Sequence, residues 1–431
     1  MKITNIIFSG LLIILLTQSV LAQGTNKKSY FGARSTALNG LYFAGIDGIN
    51  NIYSNPAGLS YNRGHAFEGS YYIRSEQNTF NGDLRSSYKS INKDFGCYNL
   101  GIYWSVLDDL TVGLGYEQNY NYEINWPYVL IIRKGTVANV EASDLYSREK
   151  NSTITPAVSY KIGSFSAGIA VNISNIKTEM SYPQKNYNWI DSISSPIYQF
   201  SFDKEGWLID FNFGLMYDFN DNLRVGLTIS NSSEKILDGT AKSELYAVMD
   251  SSASQVSYTA KYQSPWKLGL GFLYKINDDL KLNVDAQYNL YGNFDDQIER
   301  QFDNQVWQTK SQIPDSLTGF SISSIKQFFN NAFDFGVGLE FKAALDLDFN
   351  FGYRFSQSPN SDKSFDMLNP IVDQHAFSAG FAYYDQSLTI AGSLIFFTGI
   401  KKEVKGSSFN VRDGKYDTSG LIPTLSVKYE F

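Results

Sequence analysis

From Gly206 to Tyr217 the chain alternates with a period of two. Trp207, Ile209, Phe211, Phe213, Leu215 and Tyr217 share one face, and Leu208, Asp210, Asn212, Gly214 and Met216 share the other. That period belongs to a strand and not to a helix. A turn over Asp218 to Asn222 follows, and alternation resumes from Leu223 to Ser230. Strands of about ten residues are long enough to cross a bilayer at a tilt. An apolar outer face over a polar inner face is an inside-out arrangement, which needs lipid as its solvent.

The pattern recurs. Outward sets start at Phe67, Tyr98, Val112, Ile154, Phe165, Trp207, Val225, Trp266, Leu282, Phe333, Leu347, Phe377, Leu388 and Leu425. Fourteen is an even number, as bacterial barrels require. Short connections near residues 108, 163, 220, 278, 344 and 386 alternate strictly with long ones near 85, 135, 190, 245, 310, 365 and 410. Short turns are periplasmic and long loops external, so both termini are expected in the periplasm. The other face carries Asp210, Asn212, Lys281, Asn283, Asp285, Gln287, Asp348, Asn350 and Arg354. A register slip of one residue would turn all of these into lipid. Lys or Arg at the midplane costs roughly 2–4 kcal/mol each, so these residues line the lumen. The expected fold class is all-β, a 14-stranded antiparallel transmembrane barrel over residues 65–431. A large soluble sandwich or propeller is the alternative, and it would need neither the long/short alternation nor so many aromatic strand ends.

Composition agrees. Aromatic residues make up 16% of the 431-residue chain, with 30 Tyr and 31 Phe, in excess of ordinary use and suited to interfacial girdles. The net charge of −7 argues against nucleic acid. The single Cys97 excludes an internal disulfide, and no cluster has metal-ligand spacing, so no metal or cofactor is expected. Two histidines, His65 and His375, both fall near strand ends. With so little acid–base machinery, an enzyme is not expected.

The N-terminus reads as an export signal over residues 1–22: Lys2, an apolar core from Ile6 to Leu16, and a small-residue site at Val20-Leu-Ala22. With the barrel behind it, this points to a Gram-negative-type outer membrane, with its lipid and lipopolysaccharide as surroundings. The chain ends Leu425, Val427, Tyr429, Phe431 on one face. A terminal aromatic on an amphipathic strand resembles the signal read by the outer-membrane assembly machinery, which makes Tyr429 and Phe431 the expected assembly signal.

Residues 23–64 do not alternate. Glycines at 32, 40, 45, 48 and 58 let such a stretch bend and pack tightly, and Asn55-Pro56 marks a turn. A compact segment ahead of strand one, at the periplasmic end, can fold into the lumen as a plug.

Here a resemblance becomes specific. Gly32-Ala-Arg34, the Ala-Gly-Ile-Asp47 stretch and Asn55-Pro56-Ala57-Gly58, in this order ahead of fourteen strands, resemble the N-terminal hatch of the FadL family. Those proteins are outer-membrane transporters of long-chain fatty acids and aromatic hydrocarbons. Gly48 departs from the family by standing where a second acidic residue is usual. The resemblance implies that residues 23–64 are a hatch, and that ligand caught by outer loops enters the barrel. It then leaves sideways through a gap made by a kinked third strand, with a hatch shift coupling the steps.

The third strand carries Gly113 and Gly115 on its lumen face. They could permit that kink, or simply make room for the plug. The next loop holds Trp126, Tyr128, Leu130 and Ile132, an apolar run that could form a groove for an oily ligand or extend a strand into the girdle. Ile322, Ile325, Phe328 and Phe329 have helical spacing behind Ser321, which predicts a short helix over the barrel mouth. Two functions stay open: a channel for hydrophobic small molecules, or a FadL-like barrel that serves as a subunit of a secretion or assembly complex, like PorV-type barrels. Aromatic loops suit either, since Tyr and Trp also anchor interfaces.

Overall fold

The computed structural model describes residues 32–38, 40–45, 48–82, 87–90, 95–126, 129–133, 136–140, 145–185, 197–243, 254–310, 323–365, 368, 370–405 and 414–431. Fourteen antiparallel strands form the wall: β1 (His65–Asn81), β2 (Phe95–Leu107), β3 (Leu110–Trp126), β4 (Leu145–Ile162), β5 (Phe165–Lys185), β6 (Ile197–Asn220), β7 (Leu223–Ser230), β8 (Trp266–Lys275), β9 (Leu280–Leu290), β10 (Ala332–Ala344), β11 (Leu347–Ser356), β12 (Gln374–Asp385), β13 (Leu388–Gly399) and β14 (Gly414–Glu430). Each pairs with its neighbours in sequence, and β14 pairs with β1 to close the barrel, Phe67 opposite Tyr429. At the seam the Phe431 amide donates to the His65 carbonyl at 3.1 Å. Closure matters physically because lipid offers no partner to an open sheet edge.

The register is the one the alternation requires. Phe67, Leu100, Ile154, Phe213, Leu270, Phe351, Phe381 and Leu425 are exposed on the outside, while Asn212, Asn283, Asp285, Asn350 and Arg354 are buried within. All six short connections lie at the end where β1 begins and β14 finishes. At the other end the loops build structure of their own. Ser87–Lys89 pairs with β1, and Lys402–Val404 with β14. Val129–Arg133 pairs with Thr136–Val140, and Ser233–Ser243 with Gln255–Ser264.

The helix expected near residue 325 is not there. Ser324–Lys326 is a short strand paired with Gln297–Phe302, Ile325 opposite Ile298. Phe328 then adopts φ 30°, which ends any regular run. A helix of two turns bears the full nucleation cost for few bonds, and the edge of Gln297–Phe302 offers pairing instead. Ser321 and Ile322 lie outside the described residues. Among the described residues the helix of this loop is α2 (Gln305–Lys310), capped by Asn304, whose Oδ1 accepts from Val306 N at 2.9 Å and Trp307 N at 3.3 Å.

Candidate functional site

The described residues between Gly32 and Asn62 lie inside the barrel and run along its inner wall. Its first turn is α1 (Ala33–Ala37), entered through Gly32 at φ 75°, a left-handed value that suits glycine. Ala33 N donates to Ser426 Oγ of β14 at 3.1 Å, and Ser378 Oγ of β12 donates to the Ala37 carbonyl. Arg34 reaches Glu340 on β10, a carboxylate with a 4% exposed side chain. The same carboxylate accepts from Tyr42 Oη at 2.7 Å and Asn283 Nδ2 at 2.9 Å, with Lys281 Nζ 3.7 Å away. Asp285 on β9 accepts from Phe43 N at 2.9 Å. A buried charge is tolerable only when its lone pairs are filled in this way.

The Asn55-Pro56-Ala57-Gly58 motif has a clear local logic. Asn55 Oδ1 accepts from Ala57 N at 3.1 Å, capping the 3₁₀ turn Pro56–Tyr61, and Pro56 fills the first turn, where its missing N–H is harmless. Asn55 Nδ2 donates to the Phe43 carbonyl at 2.6 Å and to the Leu215 carbonyl of β6 at 3.2 Å. The Ala57 carbonyl accepts from Ser159 Oγ at 2.9 Å and Ser166 Oγ at 3.0 Å. The backbone approaches so closely that a Cβ at Gly168 or Gly214 would overlap Pro56 and Asn55, and one at Gly58 would overlap Asn51. Gly48 has φ 51°, and a Cβ there would lie 3.8 Å from the Glu68 carboxylate. The left-handed φ explains glycine here, since any side chain would be strained. Asp47 lies outside the described residues.

Moving along β6 away from its turn, three layers follow. Gly214 meets Asn55 of the inner segment. Asn212, Asp210 and Leu208 then line a cavity of about 160 Å³, shared with Leu41, Phe43 and Tyr53 of the segment. Farther out, Phe202 and Phe200 join a buried cluster with Tyr88, Ile124, Trp126, Tyr258, Ile298, Trp307, Phe365 and Tyr416, drawn from long loops and strand ends around the barrel. The cavity therefore sits between the inner segment and an aromatic cap. Its lining is mixed: Ile176 and Leu208 stand beside Asn151, Asn172, Ser230, Gln287 and Arg354.

The third strand is paired through both of its glycines: Gly113 faces Tyr103 and Ala157, and Gly115 faces Gly101 and Thr155. A Cβ on Gly113 would lie 2.9 Å from Ile52 Cδ1, and one on Gly115 would overlap the Tyr53 ring. These glycines make room for the inner segment. The irregularity of β3 comes later, a register shift between Tyr120 and Tyr122 against β4, after pairing with β2 has ended at Glu117.

The loop residues scatter. Trp126 is wholly buried in the cap cluster, so it forms neither an exposed groove nor a lipid girdle. Tyr128 lies outside the described residues, and Leu130 and Ile132 belong to the Val129–Arg133 strand. Phe329 packs with Tyr291 and Phe294 in a separate small cluster, and Phe328 lies 5.4 Å under Lys363. Tyr429 and Phe431 are exposed on the outer face, 5.6 Å apart. Sequence reading placed Asp285 in the lumen but missed Glu340, Ser159 and Ser166 as docking residues. Their only signal was a polar residue at an inward position of an otherwise lipid-facing strand.

The family model of outer membrane protein transport proteins (OMPP1/FadL/TodX) matches residues 13–431. Among solved structures, a Pseudomonas aeruginosa FadL homologue superposes with a TM-score of 0.74 at 15% identity, covering 96% of this chain and 100% of that one. The Pseudomonas putida toluene transporter TodX gives 0.68 at 16% identity, over 94% and 99%. The Ralstonia pickettii toluene transporter TbuX gives 0.67 at 14%, over 93% and 98%. A curated relative, the Neisseria meningitidis serogroup B outer membrane protein NMB0088, is 25% identical over 194 residues, 41% of this chain; the match spans only 39% of that relative's length.

Proposed function

Since the chain belongs to the outer membrane protein transport protein family (OMPP1/FadL/TodX), we propose that it is an outer-membrane channel for the uptake of hydrophobic small molecules, with residues 32–62 as its movable hatch. The observation that carries this reading is the layering along β6: a cavity held between a docked inner segment and an aromatic cap. Uptake then requires the hatch to shift, and its docking bonds to the wall are the contacts that would exchange. The six short turns share an end with the start of β1 and the finish of β14, which supports periplasmic termini. A cleaved signal over residues 1–22 and a Tyr429/Phe431 signal to the assembly machinery belong to the same proposal.

The mixed cavity lining favours an amphipathic molecule, such as a long-chain fatty acid, over a bare aromatic hydrocarbon. An apolar tail can lie against Phe43, Ile176 and Leu208 while a polar head meets the Asn, Ser and Arg354 side. Burial of Trp126 in the cap removes one aromatic anchor from the partner-binding alternative. The test is uptake of labelled oleate and labelled toluene by a deletion strain with and without the gene restored. Restored oleate uptake is the expected result; equal uptake of both compounds in the two strains overturns the proposal.

A further inference from the structure

The cavity beneath the cap is graded along the barrel axis. At its outer end Ile176 of β5 and Leu208 of β6 share a buried cluster with Tyr262 and Leu237. Ser174 lies opposite Leu208; farther in, Asn172 lies opposite Asp210, and beyond that Asn212 lies opposite Ser230. Asn212 Nδ2 then donates to the Tyr53 carbonyl of the inner segment at 3.0 Å. On this wall the apolar side chains stand toward the cap and the polar ones toward the inner segment.

The polar end is a network. Asn172 Nδ2 donates to Asp210 Oδ1 at 2.6 Å, and Asn172 Oδ1 accepts from Thr155 Oγ1 at 2.9 Å. Ser174 Oγ lies 2.9 Å from Thr153 Oγ1, which donates to Asn151 Oδ1 at 3.1 Å. Ser230 Oγ donates to Asn212 Oδ1 at 3.3 Å, and Gln287 Nε2 to Asn289 Oδ1 at 2.7 Å. Asn172, Asn212, Ser230 and Gln287 each commit a hydrogen to the wall or to the inner segment in this way. Acceptors are more plentiful, since a carboxylate offers roughly four acceptor positions. Asp210 brings one carboxylate to the lining and Glu117 brings a second.

Charge favours no lone anion here. Glu117 and Asp210 stand against Lys267 and Arg354 in the lining, and Arg354 is held 3.1 Å from Asp334 of β10. A carboxylate head meets a balanced or slightly acidic field and answers few of these polar groups. A bare hydrocarbon answers none, and polar groups stripped of water are costly unless each lost bond is replaced. A head with several hydroxyls replaces them: it donates to the carboxylates and accepts from the remaining amide hydrogens. Phe43 and Tyr53 of the inner segment line the same cavity, where rings can cover the C–H side of such a head.

We propose that the polar end of this cavity recognises an uncharged polyhydroxylated head, of the glycerol or sugar class, carried on an alkyl or acyl chain. The head lies toward the inner segment, and the chain runs past Ile176 and Leu208 toward the cap. Asp210 and Asn172 set the preference. What crosses the membrane rests on the transport reading above; the head-group preference is measured separately.

The full-length protein in nanodiscs is titrated with 1-O-octylglycerol, octanol and octanoate, which share one chain length, and the signal from empty nanodiscs is subtracted. Octylglycerol should bind about tenfold tighter than either competitor, the worth of one hydrogen bond to a charged group. Equal affinities, or octanoate the tightest, overturn the proposal. In Asp210→Asn the ratio of octylglycerol to octanol affinity falls several-fold. Asn172→Ala should lower the same ratio, and it replaces the first variant if heat-modifiable migration shows that Asp210→Asn has not closed its barrel. An unmoved ratio in a closed barrel overturns the assignment to these residues. Leu208→Ala weakens octylglycerol and octanol alike; a selective loss of octylglycerol overturns the orientation. In cells, uptake of oleate and of 1-O-oleylglycerol is compared with and without the gene. Selective octylglycerol binding with no gene-dependent uptake of either compound ends the transport reading and leaves the site standing. Gene-dependent uptake without selectivity in the titration does the reverse.

Discussion

Gly214 of β6 and Asn55 of the inner segment leave each other no spare volume: a Cβ on the glycine would occupy the place of the Asn55 amide oxygen. That oxygen caps the Pro56–Tyr61 turn, and the amide nitrogen holds the segment to Leu215. Gly214→Val is therefore expected to undock this turn at a cost of about 1–3 kcal/mol, the usual range for overpacking. Hydrogen exchange of residues 48–61 should quicken while exchange in the β4–β5 ladder stays as it was. Uniform change across the barrel would show that the glycine serves the strand and not the docking.

Glu340 is the hub of the other docking point, with Arg34, Tyr42, Asn283 and Lys281 converging on it. Glu340→Ala leaves buried cationic and polar groups uncompensated and should cost about 3–5 kcal/mol. Arg34→Met with Glu340→Met should recover much of that loss. Thermal unfolding of the single and double variants checks it, and a double variant no better than Glu340→Ala would remove charge pairing as the reason.

Tyr61 closes the segment beneath two cations, Lys161 Nζ 3.8 Å and Arg224 Cζ 4.2 Å from its ring centre. Burial pushes its phenol up to about 12; Arg224 opposes the shift and Asp218 adds to it. A raised acid pKa means the folded state favours the neutral phenol. That contribution is complete below the ordinary tyrosine value of about 10 and is lost as pH rises through about 12. The melting temperature of the parent should fall more steeply over that window than that of Tyr61→Phe. Parallel slopes would refute the assignment.

Trp307 of α2 is wedged in the cap, edge-on to Phe200 at 5.7 Å and 5.4 Å from Phe302. Trp307→Ala should cost about 3–5 kcal/mol of local stability. Because the cap lies beyond the lipid band, the barrel should still assemble. External protease on intact cells should cut the long loops at lower temperature, with the heat-modifiable band unaltered.

The strands were legible because lipid on one side and a filled lumen on the other impose a period of two on every one of them. Trp207 to Tyr217 and Leu425 to Phe431 could be assigned to the outer face directly, and they are exposed there. What could not be read was partnership across the lumen. Gly168, Gly214 and Gly226 look alike in sequence, yet each is matched to a different residue of the inner segment. The apolar spacing at Ile325 and Phe328 mimicked a helix because periodicity over two turns carries little weight against an available strand edge. Asn304 before Gln-Val-Trp was the better signal.

Because β14 is the partner of β1, the first strand exported is the one that must wait for the last, and its free edge stays open through all of synthesis and secretion. Hairpins such as β1–β2 and β6–β7 can zip locally, while the seam cannot close before β14 is present. The inner segment precedes β1, so it is already present when the ring is sealed. The barrel is assembled around its contents, and the timing of closure decides whether they are enclosed.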